Sequence, residues 1–373
     1  MINRTNLIFT HKLIIAFADS LVKVFIPLII LKGSGDMMLT MFYLSAYYIL
    51  TAILNIVLKK FLQKYGIIAM VLHSIPLIAL QFVLTLPINF WVCLIVAILS
   101  SLGQVLYSVP LNLLFTFTDK DVNVAKFQIA TNVGKLIFIL LSGYVLGSTL
   151  NNSLLLLAIV GTVLYVLSVI PVLYGYRLLK FTYQKISQEK EETNKKGYAW
   201  FNVFHMAFAV YQSILDVIIP LYLYLENLTI DKIAIVMALI ELSKIFANLL
   251  GKFFVKKGKP FISVLVSVAF LVAGTIVMIF VKNAVALYIC SCVVAISFPL
   301  LFVPMFSAFI KKIKTDKNQF DGMSYRDVYI SFGKEFLFVP YFLIPNLIGQ
   351  FVVGIASAVV VAFSAYKSTK EKK

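Results

Sequence analysis

Two stretches far apart in the chain read alike: AFADSLVKVFIPL at residues 16–28 and AFAVYQSILDVIIPL at residues 207–221. Each is an apolar run that carries ionisable side chains and closes on a proline. Pro27 matches Pro220, which puts Lys23 and Asp216 at equivalent positions four residues before it. Two further echoes follow in the same order. NIVLKKFLQKYG from Asn55 is answered by NLLGKFFVKKG from Asn248, and Gly134-Lys135 by Gly333-Lys334. Matches kept in register over this distance indicate internal duplication.

Composition says what is duplicated. Of 373 residues 61% are hydrophobic and 13% charged, with a mean hydropathy of +0.97. A soluble domain is about half apolar and about a quarter charged, so the chain belongs in a bilayer. At about 25 to 30 residues per span and turn there is room for about twelve spans, and none for a catalytic domain outside the membrane. Apolar runs place the spans at 8–31, 38–58, 66–88, 90–116, 126–148, 153–176, 198–224, 231–253, 261–281, 284–310, 327–346 and 349–366. The last two require a very tight connection. The first is read as a retained span, since no A-x-A-like cleavage site follows it. The expected fold is an all-α polytopic membrane protein with twelve transmembrane helices in two pseudo-symmetric halves. Residues 1–176 and 198–373 form the six-helix bundles, and the polar segment 177–197 links them in the cytoplasm.

The net charge of +17 follows the sidedness of the loops and does not call for nucleic acid. With both termini and alternate loops inside, 26 of the 33 Lys and Arg fall on the cytoplasmic side, Arg326 among them, and only Lys32, Lys232 and Lys282 outside. A cell-membrane location follows, and the Lys- and Ile-rich usage suits a bacterial, AT-rich genome. Sequons at Asn151 and Asn227 lie on the outer side. Cys93, Cys290 and Cys292 sit in apolar runs as packing residues. His11, His73 and His205 are too scattered for a metal cluster, and no metal or other cofactor is expected.

A charge at mid-bilayer costs at least about 2.5 to 3.5 kcal/mol, so it faces a cavity or a partner. Asp19 and Lys23 lie in span one, Lys135 in span five, Asp216 in span seven, Glu241 and Lys244 in span eight, and Lys334 with Glu335 in span eleven. Spans three, six, nine and twelve have none and face lipid. Helical spacing adds Gln104, Asn132, Gln212 and Tyr47 to the polar faces, as substrate-cavity candidates beside Lys23, Lys135 and Lys244. Asp19–Lys23 and Glu241–Lys244 can neutralise locally. Asp216 has no charged residue one turn away and needs a partner from another helix, water or a proton. Asp19, Asp216 and Glu241 are therefore the proton-coupling candidates. Pro110, Pro299, Pro304, Pro340 and Pro345 are placed within spans. No GxxxxGK[ST], Ser/His/Asp or HExxH pattern occurs, so neither an ATPase nor an enzyme is expected.

This organisation resembles the major facilitator superfamily over essentially the whole chain. The sharpest local match is that family's loop after spans two and eight, G-x-x-x-D-[RK]-x-G-[RK]-[RK]. Its second copy here keeps Gly251, Lys256, Gly258 and Lys259, with Val255 at the acid position and Pro260 at the last base. The first keeps Lys64 and Gly66, with Gln63 at the acid position. The resemblance implies a cytoplasmic gate at this loop and alternating access around a central site. Span five lacks the Gly-Pro motif of that family's drug antiporters. The expected function is proton-coupled secondary transport of a small polar or amphipathic solute by a monomer in the lipid bilayer. The alternatives are export of lipophilic or lipid-like compounds, and a transport-inactive receptor or assembly factor.

Overall fold

The computed structural model describes residues 4–116, 124–148, 152–187, 198–257, 260–281, 283–314 and 319–370. Asn151 of the first sequon and residues 188–197 of the linker lie outside them. The described elements are helical: Arg4–Leu21 (α1), Ile26–Ser34 (α2), Met37–Val57 (α3), Lys59–Leu72 (α4), Ser74–Val83 (α5), Phe90–Thr116 (α6), Val124–Gly147 (α7), Ser153–Tyr174 (α8), Tyr176–Ser187 (α9), Ala199–Ser213 (α10), Ile219–Leu225 (α11), Ile230–Lys256 (α12), Pro260–Phe280 (α13), Ala284–Lys314 (α14), Gln319–Leu343 (α15) and Leu347–Lys370 (α16). Nine helices among the described residues are long and apolar enough to cross a membrane, or eleven when α1–α2 and α4–α5 each count as one bent span. The 25-residue α15 is the further long helix. It carries Asp321, Arg326, Asp327, Lys334 and Glu335, which keeps it out of a count by hydropathy.

Proline sets the breaks, because it has no N–H for the carbonyl four residues back. Before Pro27 the chain leaves the helix at Val22 (φ −126°) and runs through a 3-10 turn, Lys23–Phe25, so that α2 departs from α1 at 41°. Before Pro220 the helix widens into a π turn, Ile214–Ile218. The two repeats thus interrupt the same helix at the same place by different means. Ahead of Pro76, α4 and α5 meet at His73 with a 45° bend.

Two sequence expectations need correction. α15 begins at Gln319, not 327, so Arg326 belongs to a helix and not to a cytoplasmic loop. α4 reaches back to Lys59 across a kink at Tyr65 (φ −122°, ψ 26°), directly before residue 66, the expected start of span three. Pro345 lies in the turn between α15 and α16, not within a span; there Asn346 Oδ1 accepts the Ile348 N–H at 2.9 Å. The tightness required of that connection is met by three residues. The first part of the linker is the helix α9.

The chain resolves into two compact units. One comprises residues 1–122, 149–196 and 311–332. The other comprises 123–148, 197–310 and 333–373, so it takes in α7 and the end of α15. In the first, α1 packs on α8, α3 on α6, and α5 on both α6 and α8. In the second, α7 packs on α12, and α10 and α13 on α16. The uncharged α8 turns Ile159, Val163, Val166 and Ile170 outward, about half exposed, as a lipid-facing helix should.

Candidate functional site

In the second unit, small residues set the geometry. Gly143 and Gly147, one turn apart on α7, face Ala234 and Asp231 of α12, and an added Cβ at Gly143 would overlap the Ala234 side chain. Such spacing lets two helix backbones approach closely. Along the same contact Asn132 of α7 reaches Glu241 of α12, its amide nitrogen donating to Glu241 Oε2 at 3.2 Å and to Gln128 O at 3.2 Å. Lys244 Nζ donates to Glu241 Oε1 at 2.7 Å and to Asp216 Oδ1 at 3.2 Å. Lys244 is therefore the partner from another helix that Asp216 required. Gln212 Nε2 donates to the second Asp216 oxygen at 3.3 Å.

Lys135 and Lys334, the lysines of the two Gly-Lys echoes, both lie close enough to act on the Asp216 carboxylate. The Lys244 and Glu241 side chains are 5% and 7% exposed, but that of Asp216 is 41% exposed. One acid of the triad is thus partly exposed while the rest is packed. Lys244 also stands 5.3 Å over the Phe298 ring, the first rung of a stack that continues through Phe302 to Phe306 at 5.8 and 4.8 Å. An ionic centre and an aromatic wall therefore adjoin.

The first unit holds a second set. Lys23 Nζ is 3.8 Å from Asp19 Oδ2 and donates to Gln104 Oε1 at 3.1 Å. Tyr165 donates to Asp19 Oδ1 at 2.7 Å. Tyr47 is buried, 4.4 Å from the Tyr48 ring and stacked with Tyr43 at 6.2 Å.

The described gate-loop residues make packing contacts. Gly66 leaves room for the Tyr183 ring of α9, whose buried hydroxyl donates to Leu62 O at 2.7 Å; burial pushes that phenol's pKa up. Gln63, at the acid position, donates instead to Ser187 O at the end of α9, at 2.7 Å. The first copy of the motif therefore anchors the linker helix. Lys64 lies over the Tyr65 ring at 5.0 Å. Gly251 lets α12 approach Pro299 O of α14, and Lys256 sits in the last turn of α12, where a cation suits the helix dipole. Gly258 and Lys259 lie outside the described residues.

Sequence reasoning missed three features. Tyr165 is a lone tyrosine in an uncharged span and gave no signal. Arg326 and Asp327, adjacent on α15, are buried and paired at 2.9 Å. Asp321 accepts Lys59 at 2.8 Å, tying α15 to α4. The five charges of segment 319–343 were the available clue, but part of it was read as loop.

Ion pairs thus lie beside irregular turns in a chain of many membrane-type spans. A family model for the Major Facilitator Superfamily matches residues 9–320. The chain belongs to that family. Among solved structures it is similar to a bacterial homologue of the iron transporter ferroportin in its outward-facing state, at 13% identity and a TM-score of 0.73, covering 99% of this chain and 100% of the other. The transporter FucP in its outward conformation matches at 13% and 0.61, over 98% of each chain. The nucleoside transporter NupG matches at 11% and 0.68, over 99% and 100%. No curated protein matches the chain.

Proposed function

We propose that the protein is a proton-coupled secondary transporter that carries a small polar or amphipathic solute by alternating access. Its two six-helix halves, 1–176 and 198–373, are joined by the linker 177–197. The observation that carries this reading is Lys244 held between the packed Glu241 and the partly exposed Asp216. A proton on Asp216 removes one of the two carboxylates that hold Lys244, and the solute then meets a site one charge more positive. Asp19 and Glu241 are the other proton sites, and Lys23, Lys135, Lys244, Gln104, Asn132, Gln212 and Tyr47 face the solute. The lysines around Asp216 favour a solute with an anionic group, and the Phe298–Phe306 wall favours an apolar part beside it. The fold neighbours' cargoes differ, iron for one and nucleosides for another, so cargo is argued from the site alone. The protein sits as a monomer in the cell membrane with both termini in the cytoplasm.

The test is purified protein in liposomes, with charge movement and solute uptake recorded for pooled anionic, zwitterionic and cationic solutes, with and without a pH gradient. Uptake that follows the gradient in the wild type and ignores it in Asp216→Asn supports the reading. Uptake of a solute that is indifferent to the gradient in the wild type overturns proton coupling.

A further inference from the structure

The first unit encloses a polar cluster that the proposed cycle leaves unused. His11 of α1, His73 at the α4–α5 bend and Tyr107 of α6 bring their rings together. The imidazole centroids are 5.6 Å apart, and the phenol ring is 5.8 Å from His11 and 5.2 Å from His73. Both histidines are wholly buried, and Tyr107 is 7% exposed. His11 Nδ1 lies 2.6 Å from Ser168 O, and His73 Nδ1 lies 2.6 Å from Met70 O. A carbonyl oxygen only accepts, so each Nδ1 carries the hydrogen and each Nε2 presents a lone pair. Neither Nε2 nor the Tyr107 hydroxyl has a hydrogen-bond partner. Buried polar atoms rarely stay unsatisfied.

Two acceptors and one hydroxyl are the complement of a single water. The water gives one hydrogen to each Nε2 and accepts the third from Tyr107, and buried waters typically make about three such bonds. We propose that His11, His73 and Tyr107 enclose one ordered water, and that this water makes the two imidazoles one proton-holding unit. A proton entering the cluster adds to one Nε2. The new N–H donates to the water oxygen while the water donates to the other Nε2. Shifting both hydrogens along this line moves the charge from one ring to the other with nothing gained or lost.

The charged groups nearby are Lys12, whose Nζ lies 5.1 Å over the Tyr107 ring, Asp19 and Lys23, which act on His73, and Asp327 of α15, which interacts with Lys12 and with Ser108 beside Tyr107 and is paired with Arg326. The Tyr165 phenol of α8, bound to Asp19, is near enough to interact electrostatically with Tyr107. A second proton would meet an imidazolium across one water, so the pair takes one. Asp19 stands on the same face of α1 as His11, about 12 Å along the helix. The inference does not rest on the role given to Asp216.

The chain has three histidines, so ring-15N spectra of histidine-labelled full-length protein in bilayers are simple, and His205→Gln removes the third residue's signals. The expected result is a protonated Nδ1 and an acceptor Nε2 on both His11 and His73, each Nε2 correlated with a water proton distinct from bulk. Tyr107→Phe should move both Nε2 signals, and acid should add one proton to the pair. Protonated Nε2 atoms, or Nε2 signals without a water correlation in the wild type, overturn the proposal. So do metal-ligation shifts on adding zinc alone, or two independent proton uptakes. The wild-type correlation is read without any substitution, so a misfolded variant cannot hide the answer.

Discussion

Lys244 answers to two carboxylates, and the two removals differ in kind. Lys244→Met strands Glu241 in a packed site, where losing one partner of a buried pair costs about 3–5 kcal/mol. The expected outcome is a large fall in thermal unfolding temperature together with loss of uptake, partly restored by Lys244→Arg. Asp216→Asn leaves Lys244 with Glu241, so its unfolding temperature should stay near wild type while the response to a pH gradient disappears. Equal destabilisation by both substitutions would contradict this division. The Glu241–Lys244 pair was legible in the sequence because residues three apart share a helix face. The Lys244–Asp216 contact was not, since no one-dimensional spacing says which helix lies opposite. Tyr165 was less legible still, because a phenol among leucines looks the same whether or not it binds a carboxylate.

For the elements, the approach of α7 to α12 decides whether Asn132 reaches Glu241. Gly143→Ala puts a methyl group against Ala234, and overpacking of this kind costs about 1–3 kcal/mol. The unfolding temperature and uptake should both fall, and Ala234→Gly in the same chain should restore them. Failure of that rescue would mean that the contact does not position the site. On the other unit, Gly66→Ala collides with Tyr183. It should loosen α9 and speed tryptic cleavage at Arg177, Lys180 and Lys185, while Lys64→Ala should not. The helices and the breaks at Pro27 and Pro220 were visible as apolar runs closing on proline. The start of α15 was obscured because hydropathy cannot separate a charged helix with internal partners from a polar loop, and Arg326 and Asp327 meet only when the segment folds.

At the scale of the whole molecule, the loops that resemble the family's gate motif lack its acids, and Lys59, in the first of them, pairs instead with Asp321 of α15. The pair is partly exposed, so it contributes at most about 1 kcal/mol, or up to about fivefold in a rate. Asp321→Lys should change initial uptake by no more than that without changing the apparent affinity for solute. The double exchange Lys59→Asp with Asp321→Lys should return the rate to wild type. An affinity change in the single variant would place the pair in the solute path instead.

The paired interruptions before Pro27 and Pro220 bear on how such a protein can change over time. Both copies keep an irregular turn ahead of the proline, but Asp19 and Lys23 in one correspond to Gln212 and Asp216 in the other. The turn and the charges beside it thus differ independently between the two copies. On the proposed function, a designer seeking altered selectivity would redraw positions 19, 23, 212 and 216 and leave the turns ahead of Pro27 and Pro220 alone.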